Sequence, residues 1–212
     1  MSKKSFRHKI ELSQYSSIYL FMFILFLIGI IFGAIIVNSM NFIQKQDLYF
    51  YLEQFFGKVV EGAIIQEGQL FHTSFFYHLK YILMIFILGF SIIGIPVIWI
   101  FIFMKGIVIG FSVGFLVNQM GWYGFLLAAA SIAPQNLLII PAYLVAGSMA
   151  MILSLHLIRK LFATRLYHHM LKKAFTQYVT VYTGLIIVVF GASLIESFVS
   201  PFTMKLVVDF IL

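Results

Sequence analysis

The chain has no cysteine, which excludes disulfides, thiolate metal sites and cysteine nucleophiles. Charge is scarce as well: Asp, Glu, Lys and Arg make up 10% of the residues, against about 25% in a typical soluble domain. No two of the acidic residues are paired within an apolar stretch. The metalloprotease motif His-Glu-x-x-His, the Gly-x-Ser-x-Gly nucleophile elbow and the phosphate-binding Gly-rich Lys-Ser/Thr loop are all missing. These absences argue against an enzyme and leave catalytic residues, metal ligands and cofactors all assigned as none. Proline occurs only four times, so each one marks a place where a long helix is interrupted or begins.

What the chain has is apolar length, with hydrophobic residues forming 62% of it. They run continuously rather than alternating, which favours helices over a membrane β-barrel. The expected fold class is all-α, a polytopic integral membrane protein with a single transmembrane domain over 1–212. The formal charge of +7 would indicate nucleic acid in a soluble protein. Here the cations flank apolar runs, which fits anionic membrane lipid and topology instead. Lys3, Lys4, Arg7 and Lys9 precede an apolar run from about Ile18 to Val37. That run is longer than a signal-peptide core and no Ala-x-Ala follows, so it reads as a retained first span.

A helix needs about twenty apolar residues to cross a bilayer. On that measure five spans are expected, at about 17–38, 80–104, 105–119, 136–158 and 179–199. Pro96 should kink the second, and Lys105 should mark the turn between the second and third. Lys and Arg gather at the amino terminus and in 159–173 (Arg159, Lys160, Arg165, Lys172, Lys173). Both fall on one side after four crossings, which predicts amino terminus in and carboxyl terminus out. The sizeable external segment is then about 39–79. Leu48, Leu52, Phe55, Phe56, Val59 and Val60 recur there at helical spacing, predicting one amphipathic external helix, lying on the membrane or packed on the spans.

From Gly106 to Ile158 there is no Asp, Glu, Lys or Arg. The run opens with Gly106, Gly110 and Gly114 on one helix face, and Ala142, Ala146 and Ala150 repeat the small-residue spacing further on. Small residues let helix backbones approach closely in a membrane, so these six form a helix-packing seam. The seam would join either the third and fourth spans of one chain or two copies as a homodimer. Between the stripes, Pro134, Gln135, Asn136 and Pro141 make a polar, proline-bracketed helix break. Such a break is either a ligand site of the kind found in discontinuous transporter helices or a turn capped by Gln135 and Asn136. Glu196, with Ser193, Ser197 and Ser200, is a candidate partner contact, as are Leu52, Phe55 and Phe56. His156, His168 and His169 read as surface residues among cations, and the six-residue spacing of His72 and His78 suits no metal.

The stretch Ala133-Pro-Gln-Asn-Leu-Leu-Ile-Ile-Pro-Ala-Tyr-Leu-Val-Ala-Gly147, the glycine run before it and the basic amino terminus together resemble the stage II sporulation protein M family over essentially the whole chain. Many members of that family carry Pro-His-Gly-x-x-Glu-x-Pro at the break. This sequence keeps Pro134 and Pro141 but has Gln135 and Asn136 in place of His-Gly, and Ile139 in place of Glu. That departure turns the resemblance toward a structural role. The resemblance implies a membrane scaffold for forespore engulfment, located in the septal membrane. It also implies two peptidoglycan-remodelling partners, a lytic transglycosylase and an amidase/endopeptidase. A permease or channel subunit built around Pro134–Pro141 is the reading from a different class.

Overall fold

The structure is a computed structural model that describes residues 15–60, 67–162 and 168–211. It is helical, and no strand occurs among the described residues. The helices are α1 (Ser16–Ser39), α2 (Phe42–Val60), α3 (Glu67–Leu88), α4 (Gly94–Ser131), α5 (Ala133–Phe162), α6 (His168–Leu194) and α7 (Ser200–Ile211), with a π-helical segment (Ile195–Val199) joining the last two. Five helical stretches are long and apolar enough to cross a membrane: Ser16–Ser39, Gly68–Leu88, Gly94–Ser131, Ala133–Arg159 and Ala174–Val207. Five spans were expected, and the chain is a multi-pass helical membrane protein.

The span boundaries differ from the expected ones, and the differences share a cause. The break expected at Lys105 is absent, because α4 runs unbroken through that residue. The second span lies instead at Gly68–Leu88, so that 68–79, expected to be external, belongs to it, while the remainder overlaps the expected second span. Pro96 kinks nothing; it sits in the first turn of α4, where a missing N–H costs no helical bond. Proline and a lone charge looked like punctuation, but each is accommodated within a span.

The reversal after α4's long first run also lies elsewhere than expected. It occurs at Gly121, the one residue with positive φ (57°) among those described, a conformation that favours glycine. In a straight helix Leu116 and Gly124 would be roughly 12 Å apart along the axis. Here Gly124 packs so closely on the Leu116 carbonyl that no side chain would fit between them. Trp122 and Tyr123, residue types enriched at membrane–water interfaces, are exposed at this turn. The returning arm leads through Ile132 straight into α5.

Pro134 therefore stands near the start of a descending helix. In a continuous helix its nitrogen would bond the Ala130 carbonyl, and proline cannot. Thr203 of α7 donates to that carbonyl instead, at 2.8 Å. Gln135 and Asn136 do not cap following N–H groups as expected. Their amides donate one turn back, to Ser131 O (3.0 Å) and Ile132 O (2.7 Å). Pro141 lies in the helix interior.

The glycine stripe finds its partner within the chain, and that partner is the first span. Gly106 and Gly110 face Gly29, Ile30 and Gly33 of α1 backbone to backbone, while Gly114 meets Ala34 and Val37. This corrects the expected pairing of Gly106, Gly110 and Gly114 with Ala142, Ala146 and Ala150. Those alanines are buried, but Ala150 packs on Gly89 of the α3 end and Ala146 O accepts the Tyr182 hydroxyl of α6 at 2.9 Å. Helix α5 is thus the centre of the bundle, with Ile139, Tyr143, Ala146, Ser148 and Ala150 fully enclosed.

Carbonyls released at helix ends are satisfied the same way, as membrane burial requires. The last turn of α3 tightens, Phe90 N bonding Ile87 O, which releases Phe86 O to accept the Tyr178 hydroxyl at 2.9 Å. Ser154 donates to Gly89 O (2.9 Å) and Ser91 O (3.1 Å). Helix α2 opens with a reciprocal capping box: Gln44 N donates to the Asn41 side chain (2.9 Å) and Asn41 N to the Gln44 side chain (3.1 Å). Leu52 packs toward Leu116, Leu127 and Met204, leaving Phe42, Ile43, Phe50 and Tyr51 of α2 exposed. The Phe55 and Phe56 side chains, the basic amino terminus, residues 163–167 and the side chains of the rest of 160–173 lie outside what the structure describes.

Replacing Gly110 by Ile should destabilise the bundle by about 1–3 kcal/mol or more, since the new side chain meets α1 backbone that cannot yield. Gly184→Ala, where a Cβ meets nothing within 4 Å, should instead leave stability unchanged or raise it by up to about 1 kcal/mol, as alanine is the better helix former. Thermal unfolding of the two variants in one detergent checks the contrast.

Candidate functional site

Helix α3 presents Ser74, Tyr77, His78 and Tyr81 at successive three- and four-residue steps, which places them on one face. Opposite them stand Lys105 from α4, Tyr143 from α5 and Glu196 from the π-helical segment. One carboxylate oxygen, Glu196 Oε2, accepts from the Ser74 hydroxyl at 2.5 Å and pairs with His78 Nε2 at 2.9 Å. The other ring nitrogen, His78 Nδ1, bonds the Tyr143 hydroxyl at 2.6 Å. Lys105 Nζ lies 5.2 Å from the Tyr143 ring centroid and 5.6 Å from that of Tyr77. Tyr81 packs tilted against Tyr143 at 4.4 Å between centroids and donates its hydroxyl to Phe101 O.

The cluster sits deep along the helices that build it. His78 is midway along Gly68–Leu88, about 15 Å of helix from either end. Lys105 is about 17 Å of helix from Gly94. His78 is 5% exposed and Tyr143 1%. The Glu196 side chain keeps 34% of its surface and Tyr77 57%, so the cluster opens on one edge of the bundle.

Isolated charges at such depth are expensive, and they persist when they compensate one another. Glu196 and Lys105 are of opposite sign and share His78 and Tyr143 between them. The ammonium faces the electron-rich sides of two rings, a contact worth about 2 kcal/mol when desolvated. The π-helical segment matters here. An extra residue in the turn redirects side chains, and single π turns recur at functional sites. Glu196 is the second residue of that segment. The result is an unbroken chain of groups that can hold a proton: Ser74, Glu196, His78 and Tyr143.

Of the site residues expected from sequence, only Glu196 belongs to this cluster. Ser193, Ser197 and Ser200 are buried and face the bundle rather than a partner. Ser197 donates to Ser193 O, and Ser200 donates to Gln135 Oε1 at 2.8 Å. Pro134, Gln135, Asn136 and Pro141 belong to the first part of α5, join none of these contacts and contribute no charge. His72 stacks on Phe76 at 4.4 Å and does not join His78. Lys105, His78, Ser74 and Tyr143 were not expected. The signal available for the first two was the presence of an ionisable residue within a span. Placing Lys105 at a turn and His78 outside the membrane concealed it.

The family model described as Stage II sporulation protein M matches residues 22–201. That stretch takes in the whole polar cluster, the glycine seam and Pro134–Pro141. No curated protein and no solved structure matches the chain.

Tyr143→Phe leaves a buried imidazole nitrogen without its partner and should cost about 1–3 kcal/mol. Tyr77→Phe, at an exposed position with its ring retained under Lys105, should cost a few tenths of a kcal/mol at most. Unfolding midpoints of the two variants in nanodiscs decide between them.

Proposed function

The chain belongs to the stage II sporulation protein M family, and on that premise we propose that it is a non-enzymatic membrane scaffold for forespore engulfment. It recruits and stabilises two peptidoglycan-remodelling enzymes, a lytic transglycosylase and an amidase/endopeptidase, at the septal membrane. The single observation that carries this reading is the family match over residues 22–201.

The geometry supports it in two ways. The helices pack into one bundle in which Thr203, Tyr178 and Ser154 bond carbonyls released at helix interruptions, as suits a rigid platform. Helix α2 touches that platform through Leu52 and Met204 and leaves Phe42, Ile43, Phe50 and Tyr51 exposed. We place α2 outside the cytoplasm, as the amphipathic element that meets the wall enzymes, with amino terminus in and carboxyl terminus out. Four spans separate the basic amino terminus from the basic segment 159–173, so both fall on the same side. Membrane lipid covers the remaining apolar faces. A homodimer would need a face other than the glycine seam, which α1 fills.

The permease or channel reading rested on free backbone groups at Pro134–Pro141. Thr203 bonds the Ala130 carbonyl that Pro134 leaves, and Gln135 and Asn136 bond the preceding turn, so the groups at the start of the break are already bonded within the chain.

Deletion of Phe42–Val60 spares all five spans. Membrane insertion should be unchanged while co-purification of both hydrolases falls at least tenfold. Full recovery of the hydrolases on the deleted chain would remove α2 as the docking surface. Release of wall fragments by the purified chain alone would overturn the non-enzymatic reading.

A further inference from the structure

The Glu196–His78–Tyr143 chain has a property that structural satisfaction alone does not require. His78 is bonded at both ring nitrogens, to a carboxylate on one side and a phenol on the other. With a neutral ring protonated at Nε2, His78 donates to Glu196 and accepts the Tyr143 hydroxyl proton at Nδ1. Addition of one proton at Nδ1 makes that nitrogen a donor. Tyr143 then keeps its own proton, turns it away and accepts through oxygen. The change needs no side-chain displacement and breaks no covalent bond beyond the proton's own. In both states each ring nitrogen of His78 keeps its partner, the Glu196 carboxylate on one side and the Tyr143 oxygen on the other.

We propose that Glu196, His78 and Tyr143 form an exchangeable proton-binding site inside the membrane-spanning bundle, with Lys105 as the opposing charge. The proton resides on the carboxylate–imidazole pair. Lys105 stands over the Tyr143 ring. A second positive charge on His78 weakens that contact, so α3, α4 and α5 all experience the occupancy. The groups facing His78 are Ser74, Tyr77 and Tyr81 of α3, Lys105 of α4, Tyr143 of α5 and Glu196 of the π-helical segment. This site is independent of the scaffold role and of the Pro134–Pro141 break. The π-helical turn at Glu196 supplies its second, separate structural mark.

Histidine-selective nitrogen-15 spectra of the full chain in nanodiscs test the assignment, with His78 identified by its loss in His78→Gln. His78 should take up one proton reversibly between pH 4 and 9. Glu196→Gln should weaken its proton affinity at least tenfold, and Lys105→Met should strengthen it. These opposite signs are not produced by a packing role. Spectra of the remaining histidines and an unchanged elution volume report that each variant is folded. If Glu196→Gln fails to fold, Lys105→Met carries the test alone. A His78 ring locked in one protonation state across this range, or an affinity moved by neither variant, overturns the proposal.

Discussion

In a membrane-spanning segment a backbone carbonyl or N–H has no water to turn to, so each one released from a helix must be bonded by the protein. Much of this structure follows from that requirement. Where Pro134 removes a donor, Thr203 of α7 fills the gap. Where the end of α3 tightens and frees Phe86 O, Tyr178 of α6 donates to it. Where α3 ends at Gly89, Ser154 of α5 does the same. Each such bond joins elements distant in sequence, so repairing the backbone and docking the helices are a single event. The hydroxyl residues that look incidental in an apolar chain are the ties between its spans.

Close packing supplies the rest. Lipid tails are as apolar as the helices, so helix association depends on contact area and close backbone approach. Gly106, Gly110 and Gly114 against Gly29 and Gly33 bring α4 and α1 together backbone to backbone. With that face filled, the edge at Glu196 and the aromatic surface of α2 are among the faces left exposed. The membrane position of the polar cluster follows from the same rigidity, because α3, α4, α5 and the π-helical segment each bring one part of it.

The family match and the polar cluster bear on different questions. Membership assigns a sporulation membrane protein. It does not account for a carboxylate, an imidazole and an ammonium gathered deep in the bundle. The Glu and His of the family pattern at the break are replaced here by Ile139 and Gln135, yet Glu196 and His78 are hydrogen-bonded to each other elsewhere in the fold.

Helical class, multi-pass character and the number of spans were legible because they depend on local apolar length, which composition and run length report directly. The small-residue stripe was legible as a packing face for the same reason. Its partner was not, since spacing says that a helix can approach closely but never which helix does. Lys105 was misread as a turn marker, because a charge within a span is tolerated only through neighbours supplied by the fold, and Pro96 as a kink, although the first turn of a helix accommodates it. Gly121 carries the reversal through a positive φ that leaves no mark in hydropathy. The convergence of His78, Lys105 and Glu196 spans 118 residues between two of its members. It was decided by tertiary structure alone, where packing brings together charges that could not stay apart at that depth.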